Sequence, residues 1–279
     1  MTRMLAVIPV VISIAVFGVY KFQRSLIYVS NFPEGSRVQV DSPAKYGLSF
    51  EEVWLKTSDG EKLQMFVMPA PGATKTVLLL NPNAGNIGHS IPLAAQFVNM
   101  GHNAILFSYR GYGKSSGTAS EAGIKKDCHA VLEYITGDAT LSSTKLILYG
   151  RSLGGAVGIY MTHLAQSQGQ KVHGLILENT FLSIPKLIPS VLPVLSPLSF
   201  LCTEIWNSQQ LIPTLSSQTP VLFLSGQEDE LVPKEHMAEL YELSASEDKK
   251  LIPFKDGTHN DTVAQDGFWQ QVEDFCRGL

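Results

Sequence analysis

Lys145-Leu146-Ile147-Leu148-Tyr149-Gly150-Arg151-Ser152-Leu153-Gly154-Gly155 is the stretch that decides how this chain folds. Its first half is a short, nearly continuous apolar run, the pattern of a strand buried on both faces of a parallel sheet. Its second half is G-x-S-x-G, and apolar residues recur at helical spacing from Leu153 to Leu164. Strand, sharp turn and helix are the context this motif requires. The glycines have a steric reason. The turn is strained so that the Ser152 hydroxyl projects above the strand ends, and side chains at 150 and 154 would crowd the helix against the strand. The start of the helix also aims free N–H groups, Leu153 first, at any negative charge forming beside the serine. A phosphate-binding turn would instead carry G-x-G-x-x-G or a P-loop lysine, and neither stands here.

Similar runs recur outward along the chain, at Thr76–Leu80, Ala104–Tyr109, Val172–Glu178, Val221–Ser225 and Lys250–Phe254. Helical patterns lie between them. Ile124, Cys128, Val131, Leu132 and Ile135 form one stripe after a Thr118-x-x-Glu121 capping box. Pro233 opens a helix at Lys234–Leu243, and Phe268, Trp269, Val272, Phe275 and Cys276 share a face of the last helix. Ser49–Lys56 and Lys62–Met68 alternate around Ser58-Asp59-Gly60, which predicts an antiparallel hairpin. The predicted class is α/β, a mostly parallel eight-stranded sheet with helices on both faces. At 279 residues, 44% apolar and 16% charged, the chain can bury a core without disulfides. Its net charge of −4 leaves no basic footprint for nucleic acid. Three cysteines far apart offer neither a disulfide framework nor a zinc site.

A serine hydroxyl needs a base, and the base needs an orienting acid. On a sheet with this elbow the order along the chain is serine, acid, histidine. Asp229, in the loop after Val221–Ser225, stands where such sheets build their sites; Glu228 and Glu230 are competing acids expected to face solvent. His259, in Asp256-Gly257-Thr258-His259-Asn260-Asp261, follows the last strand at the same edge. Surface or packing roles suffice for the other histidines, although His236 is a candidate for the pocket mouth. A second oxyanion donor is expected from Asn81-Pro82-Asn83-Ala84-Gly85-Asn86; because Pro82 has no N–H, Asn83 is the residue chosen. The bland alternative is an ordinary Asn-Pro turn.

Two further segments stand apart. Met4–Tyr20 is uncharged between Arg3 and Lys21, and as a helix it spans roughly 26 Å, enough for a thin bilayer. The expectation is an uncleaved membrane anchor over residues 1–28, a linker over 29–45, and a catalytic body over 46–279. Lys21 and Arg24 against Arg3 favour a cytosolic body, and a glycan on the sequon Asn260-Asp261-Thr262 would obstruct the site. Leu182–Cys202 has one charge, Lys186, and prolines at 185, 189, 193 and 197, which exclude an uninterrupted helix. It is expected to be an apolar cap, reaching to residue 218, over the pocket.

Asn83-Ala84-Gly85-Asn86, Tyr109-Arg110-Gly111-Tyr112-Gly113 with Ser115 and Gly117, Gly150–Gly155, Glu178-Asn179-Thr180-Phe181 and Gly257-Thr258-His259-Asn260-Asp261 together resemble the fungal bud-emergence-type (Bem46-like) α/β-hydrolases and the related membrane-anchored animal α/β-hydrolase-domain proteins. The resemblance implies the α/β-hydrolase fold, a Ser152–Asp229–His259 triad and serine-hydrolase activity on acyl esters or thioesters, of lipids or S-acylated proteins. It implies no cofactor and no metal. Asn81-Pro82 departs from the family's usual His-Gly and bears on the geometry of the oxyanion loop. The expected partners are a membrane, through the N-terminal helix, and a lipid or acylated-protein substrate; the expected location is an endoplasmic-reticulum or other endomembrane, with a mitochondrial membrane as alternative. A peptidase of the same fold and a non-catalytic membrane scaffold are the competing readings.

Overall fold

The computed structural model describes residues 16–279. The greater part of the expected anchor, Met4–Tyr20, therefore lies outside the described residues. Helix α1 occupies residues 16–27 of that range. No helix among the described residues is long and apolar enough to cross a membrane.

Eight strands form one sheet: β1 (Glu51–Lys56), β2 (Lys62–Met68), β3 (Lys75–Leu80), β4 (Asn103–Phe107), β5 (Lys145–Arg151), β6 (Gly174–Glu178), β7 (Val221–Gly226) and β8 (Lys249–Phe254). Their spatial order is β1-β2-β4-β3-β5-β6-β7-β8. β1 pairs with β2 and β2 with β4 antiparallel, and every later pair is parallel. The hairpin and the six buried runs lie where the sequence places them, with ends moved by a residue or two. Strands β3 to β7 are interior because Leu, Ile and Val alternate onto both faces.

Helices α2 (Ile91–Asn99) and α8 (Phe268–Gly278) bury Phe97, Phe268 and Val272 against one face of the sheet. Helices α3 (Glu121–Gly137), α4 (Leu153–Ser167) and α7 (Lys234–Leu243) bury Ile124, Val131, Val157, Ile159 and Leu240 against the other. The chain leaves β3 for one face and β5 for the other. The strand order thus reverses between them, and a crevice opens at their carboxyl ends.

The start of α3 differs from expectation. Ser120, not Thr118, caps it by accepting from the Gly123 amide, and Glu121 is the first helical residue. The Glu121 carboxylate is drawn away from a capping box because Oε2 accepts from the Ile205 and Trp206 amides at 2.5 and 2.9 Å. Those amides belong to the Pro-rich segment, which is broken as its prolines require: α5 (Ile184–Val191), a 3-10 stretch over Pro193–Leu201, and the short α6 (Ser208–Leu211).

Candidate active site

Gly150, Gly154 and Gly155 allow the turn at the end of β5. A Cβ on Gly150 would lie 2.2 Å from the Gly154 carbonyl oxygen, and one on Gly154 would lie 2.0 Å from the Leu80 carbonyl oxygen. Both obstacles are backbone, so neither can yield. Between them Ser152 takes φ +53°, a conformation that L-residues hold only under external constraint. The constraint comes from β6 and the turn after it: the Ser152 amide donates to the Glu178 carbonyl at 2.9 Å, and the Thr180 hydroxyl donates to the Ser152 carbonyl at 2.7 Å.

Asp229 and His259 come together across the ends of β7 and β8. His259 Nδ1 lies 2.8 Å from Oδ2 and 3.0 Å from Oδ1 of Asp229, whose side chain is 1% exposed. Asp229 Oδ1 also accepts the Leu231 and Val232 amides, so its loop closes on itself and aims the carboxylate. Glu230 is exposed, as expected, and also accepts the His259 amide on Oε2 at 3.1 Å. No hydrogen bond joins the Ser152 hydroxyl to His259 Nε2; such links commonly tighten only with substrate in place.

Two residues that sequence reasoning left without a role organise this edge. Asn179, at φ +46°, donates from Nδ2 to Thr262 Oγ1 at 2.9 Å and to the Thr258 and His259 carbonyls, while its Oδ1 accepts the Gly226 amide at 2.8 Å. One side chain thereby ties β6, β7 and the histidine loop together. The signal for it was an asparagine directly after a strand, since Asn tolerates the left-handed region. Glu178 is fully buried and receives a very short hydrogen bond from the Tyr149 hydroxyl. Burial pushes its carboxyl up, although Arg151, opposite it across β5 and β6, works the other way.

The loop after β3 carries the other expected donor. The Asn83 and Leu153 amides donate to no group among the described residues. Asn81-Pro82 is held from several sides. The Asn81 side chain donates to the Phe107 carbonyl and accepts from Ser90 Oγ, and the Tyr109 hydroxyl donates to the Asn81 carbonyl at 3.0 Å. The Tyr112 hydroxyl donates to the Asn83 carbonyl at 2.8 Å. The Val29 amide reaches the same carbonyl at 3.0 Å, Asn83 Nδ2 donates to the Ile27 carbonyl, and the Gly85 amide donates to the Phe32 carbonyl. Residues 27–32, read from sequence as anchor end and linker, thus brace the loop after β3.

A cavity of about 740 Å³ opens beside this loop, lined by Asn83, Leu93, Arg151, Leu231, His259 and Trp269 among others. Its size suits a small-molecule site. The cap was expected over the pocket, but no residue of 182–218 lines this cavity; its apolar side chains pack on α1 instead. His236 does not serve a pocket mouth either. It is buried, Nδ1 accepts the Leu182 amide at 3.2 Å, and burial lowers its pKa, so it is a neutral fastener at the base of the cap. No cluster of metal-binding side chains occurs among the described residues.

The family described as serine aminopeptidase, S33, matches residues 72–217. The "Uncharacterized membrane protein YNL320W" of Saccharomyces cerevisiae is 45% identical over 264 residues, covering 94% of this chain and 92% of that protein. "Protein bem46" of Schizosaccharomyces pombe is 44% identical over 267 residues, 94% of this chain and 88% of that protein. Among solved structures, the Pyrococcus furiosus esterase Pf2001 superimposes with a TM-score of 0.69 at 19% identity, over 87% of this chain and 97% of that one. At that identity the likeness speaks for the fold.

Proposed function

The chain belongs to the Bem46-like α/β-hydrolase family, and from that premise we propose that it is a membrane-held serine hydrolase of acyl esters or thioesters. The observation that carries the reading is the buried Asp229–His259 pair, set at the same sheet edge as a serine at φ +53°. His259 Nε2 takes the Ser152 proton as Oγ attacks the acyl carbonyl. Asp229, bonded to Nδ1, holds the tautomer that leaves Nε2 free to accept and stabilises the imidazolium that forms. The negative oxygen of the tetrahedral intermediate sits against the Asn83 and Leu153 amides. His259 then returns the proton to the leaving alcohol or thiol, and water hydrolyses the acyl-enzyme by the same route. No cofactor enters this scheme.

The uncharged run Met4–Tyr20 supports attachment to an endomembrane with the catalytic body on the cytosolic side. A cavity of about 740 Å³ with Leu93, Leu231 and Trp269 in its wall suits an aliphatic acyl group, of a lipid or an S-acylated protein. The experiment is active-site labelling: a fluorophosphonate probe labels the full chain, and labelling vanishes in Ser152→Ala. Undiminished labelling of that variant would refute the assignment. The family's description as a serine aminopeptidase favours one second reading, a peptidase built on the same triad. Faster turnover of aminoacyl p-nitroanilides than of p-nitrophenyl esters would select it.

A further inference from the structure

We infer that the outer face of the cap, together with helix α1, rests in the boundary layer of an anionic phospholipid leaflet, making the cap a second membrane contact. The inference rests on the membrane-attachment reading above and adds to it a surface from the far end of the chain. Cap and α1 are tightly joined. Gln23 Oε1 accepts the Thr203 amide at 2.7 Å. Glu204, buried, takes Arg24 Nε at 2.8 Å and the Tyr28 hydroxyl at 2.7 Å, and the Trp206 indole donates to that hydroxyl at 2.9 Å. Val19 and Leu26 of α1 meet Leu192, Leu195 and Leu198 of the cap along an apolar groove.

The outward side of this unit is apolar too. Val194 is 90% and Phe200 77% exposed, and Phe17, Phe22 and Val191 are also open to solvent. Scattered exposed apolar residues need no explanation, but here they stand on two chain-distant elements that pack on each other, which marks a contact surface. The charge around it selects the partner. Residues 1–33 and 182–203 contain Arg3, Lys21, Arg24 and Lys186, and the acids nearest in sequence, Glu34 and Glu204, stand just outside them, Glu204 buried. Arg24 is paired with Glu204 and Lys186 with Glu239, which leaves Lys21 beside the exposed Phe17 and Phe22 with no ion pair among the described residues. Apolar side chains next to a free cation complement an anionic lipid surface, into which long cationic side chains snorkel. Continuity supplies the second reason. The uncharged run Met4–Tyr20 ends within α1, whose residues 16–20 it includes, so the point where the chain would leave the bilayer is the point where the cap is docked. An interfacial segment of this kind buries its apolar face about 5–10 Å into the headgroup boundary.

The test uses the full chain in vesicles of phosphatidylcholine and phosphatidylserine, with and without brominated phosphatidylcholine chains that quench tryptophan on contact. Val194→Trp and Phe200→Trp place an indole at exposed cap positions. Tyr46→Trp is the control, on the short helical turn that packs with α2 on the opposite face of the sheet. The added emission at 194 and 200 should fall roughly twofold or more in brominated vesicles, as insertion to about 5–10 Å demands, and the emission added at 46 should not. If the chain floats with the vesicles but emission at 194 and 200 is no more quenched than at 46, the cap faces water or a protein; the inference is then overturned while membrane attachment stands. A chain that fails to float removes the attachment and this inference together.

Discussion

His259 Nδ1 lies within 3.0 Å of both carboxylate oxygens of Asp229, and Asp229 Oδ1 is simultaneously the acceptor for two amides of its own loop. The carboxylate is therefore aimed before the imidazole arrives. In Asp229→Asn the amide can still occupy this position but cannot enforce the same tautomer. We expect kcat for p-nitrophenyl ester hydrolysis to drop about 10⁴-fold, as in other triads with a neutralised acid. Thermal unfolding should move little, which separates loss of chemistry from loss of fold.

Asn179 contributes both a conformation and a set of bonds, and the two can be separated. Asn179→Gly keeps φ +46° without strain but loses the donors to Thr258, His259 and Thr262. Asn179→Ala loses both. Each unpaired buried partner costs about 1–3 kcal/mol, so urea unfolding should rank wild type above Asn179→Gly above Asn179→Ala. Both variants should lose kcat, because the histidine loop is no longer pinned to β6.

Tyr112→Phe removes the phenol that holds the Asn83 carbonyl and leaves the Val29 amide as its remaining partner. A bond of this type is worth about 1 kcal/mol. If this loop supplies the proposed oxyanion donor, loosening it should lower kcat by roughly fivefold with KM nearly constant, the whole loss falling on transition-state binding. Steady-state ester kinetics measure the split.

Behind that loop, Arg110 and Asp127 form a buried pair. Arg110 Nε donates to Oδ1 and the Arg110 amide to Oδ2, each at 2.8 Å, while the guanidinium end reaches Asp59. Asp127→Ala leaves a buried guanidinium half-paired and should cost about 3–5 kcal/mol in urea unfolding. Asp127→Asn keeps an acceptor and should cost less. Burial pushes the Asp127 carboxyl up to about 6, with Arg110 opposing. An acid whose folded pKa exceeds its unfolded value, about 3.9, binds its proton more tightly when folded. Its favourable contribution is complete below about pH 4 and is lost as pH rises through about 6. Wild type should therefore lose stability relative to Asp127→Asn across that window.

Much of this architecture is legible locally. A parallel strand buried on both faces must be a short apolar run, and a strand-to-helix turn that lifts a serine must be glycine on both sides. Ser152, Asp229 and His259 were thus nominated in chain order, and the fold sets the last two in hydrogen-bond contact. What the sequence left out has a common cause. Glu121 looked like half of a capping box but answers to amides at 205 and 206, and Glu230, exposed as expected, also holds the His259 amide. Nothing in the neighbourhood of either acid records a partner brought in by the fold.

Periodicity and turn chemistry act over a few residues, so the linear order of residues was enough for the sheet, the elbow and the candidate reacting groups. Only the folded chain decides that residues 27–32 brace the Asn81-Pro82 loop, that Asn179 locks the histidine loop, and that the Pro-rich cap packs on α1 rather than over the large cavity. Each of these is a contact between distant segments. It depends on which backbone groups the strand order leaves unpaired at the carboxyl edge, and that is a property of the assembled sheet.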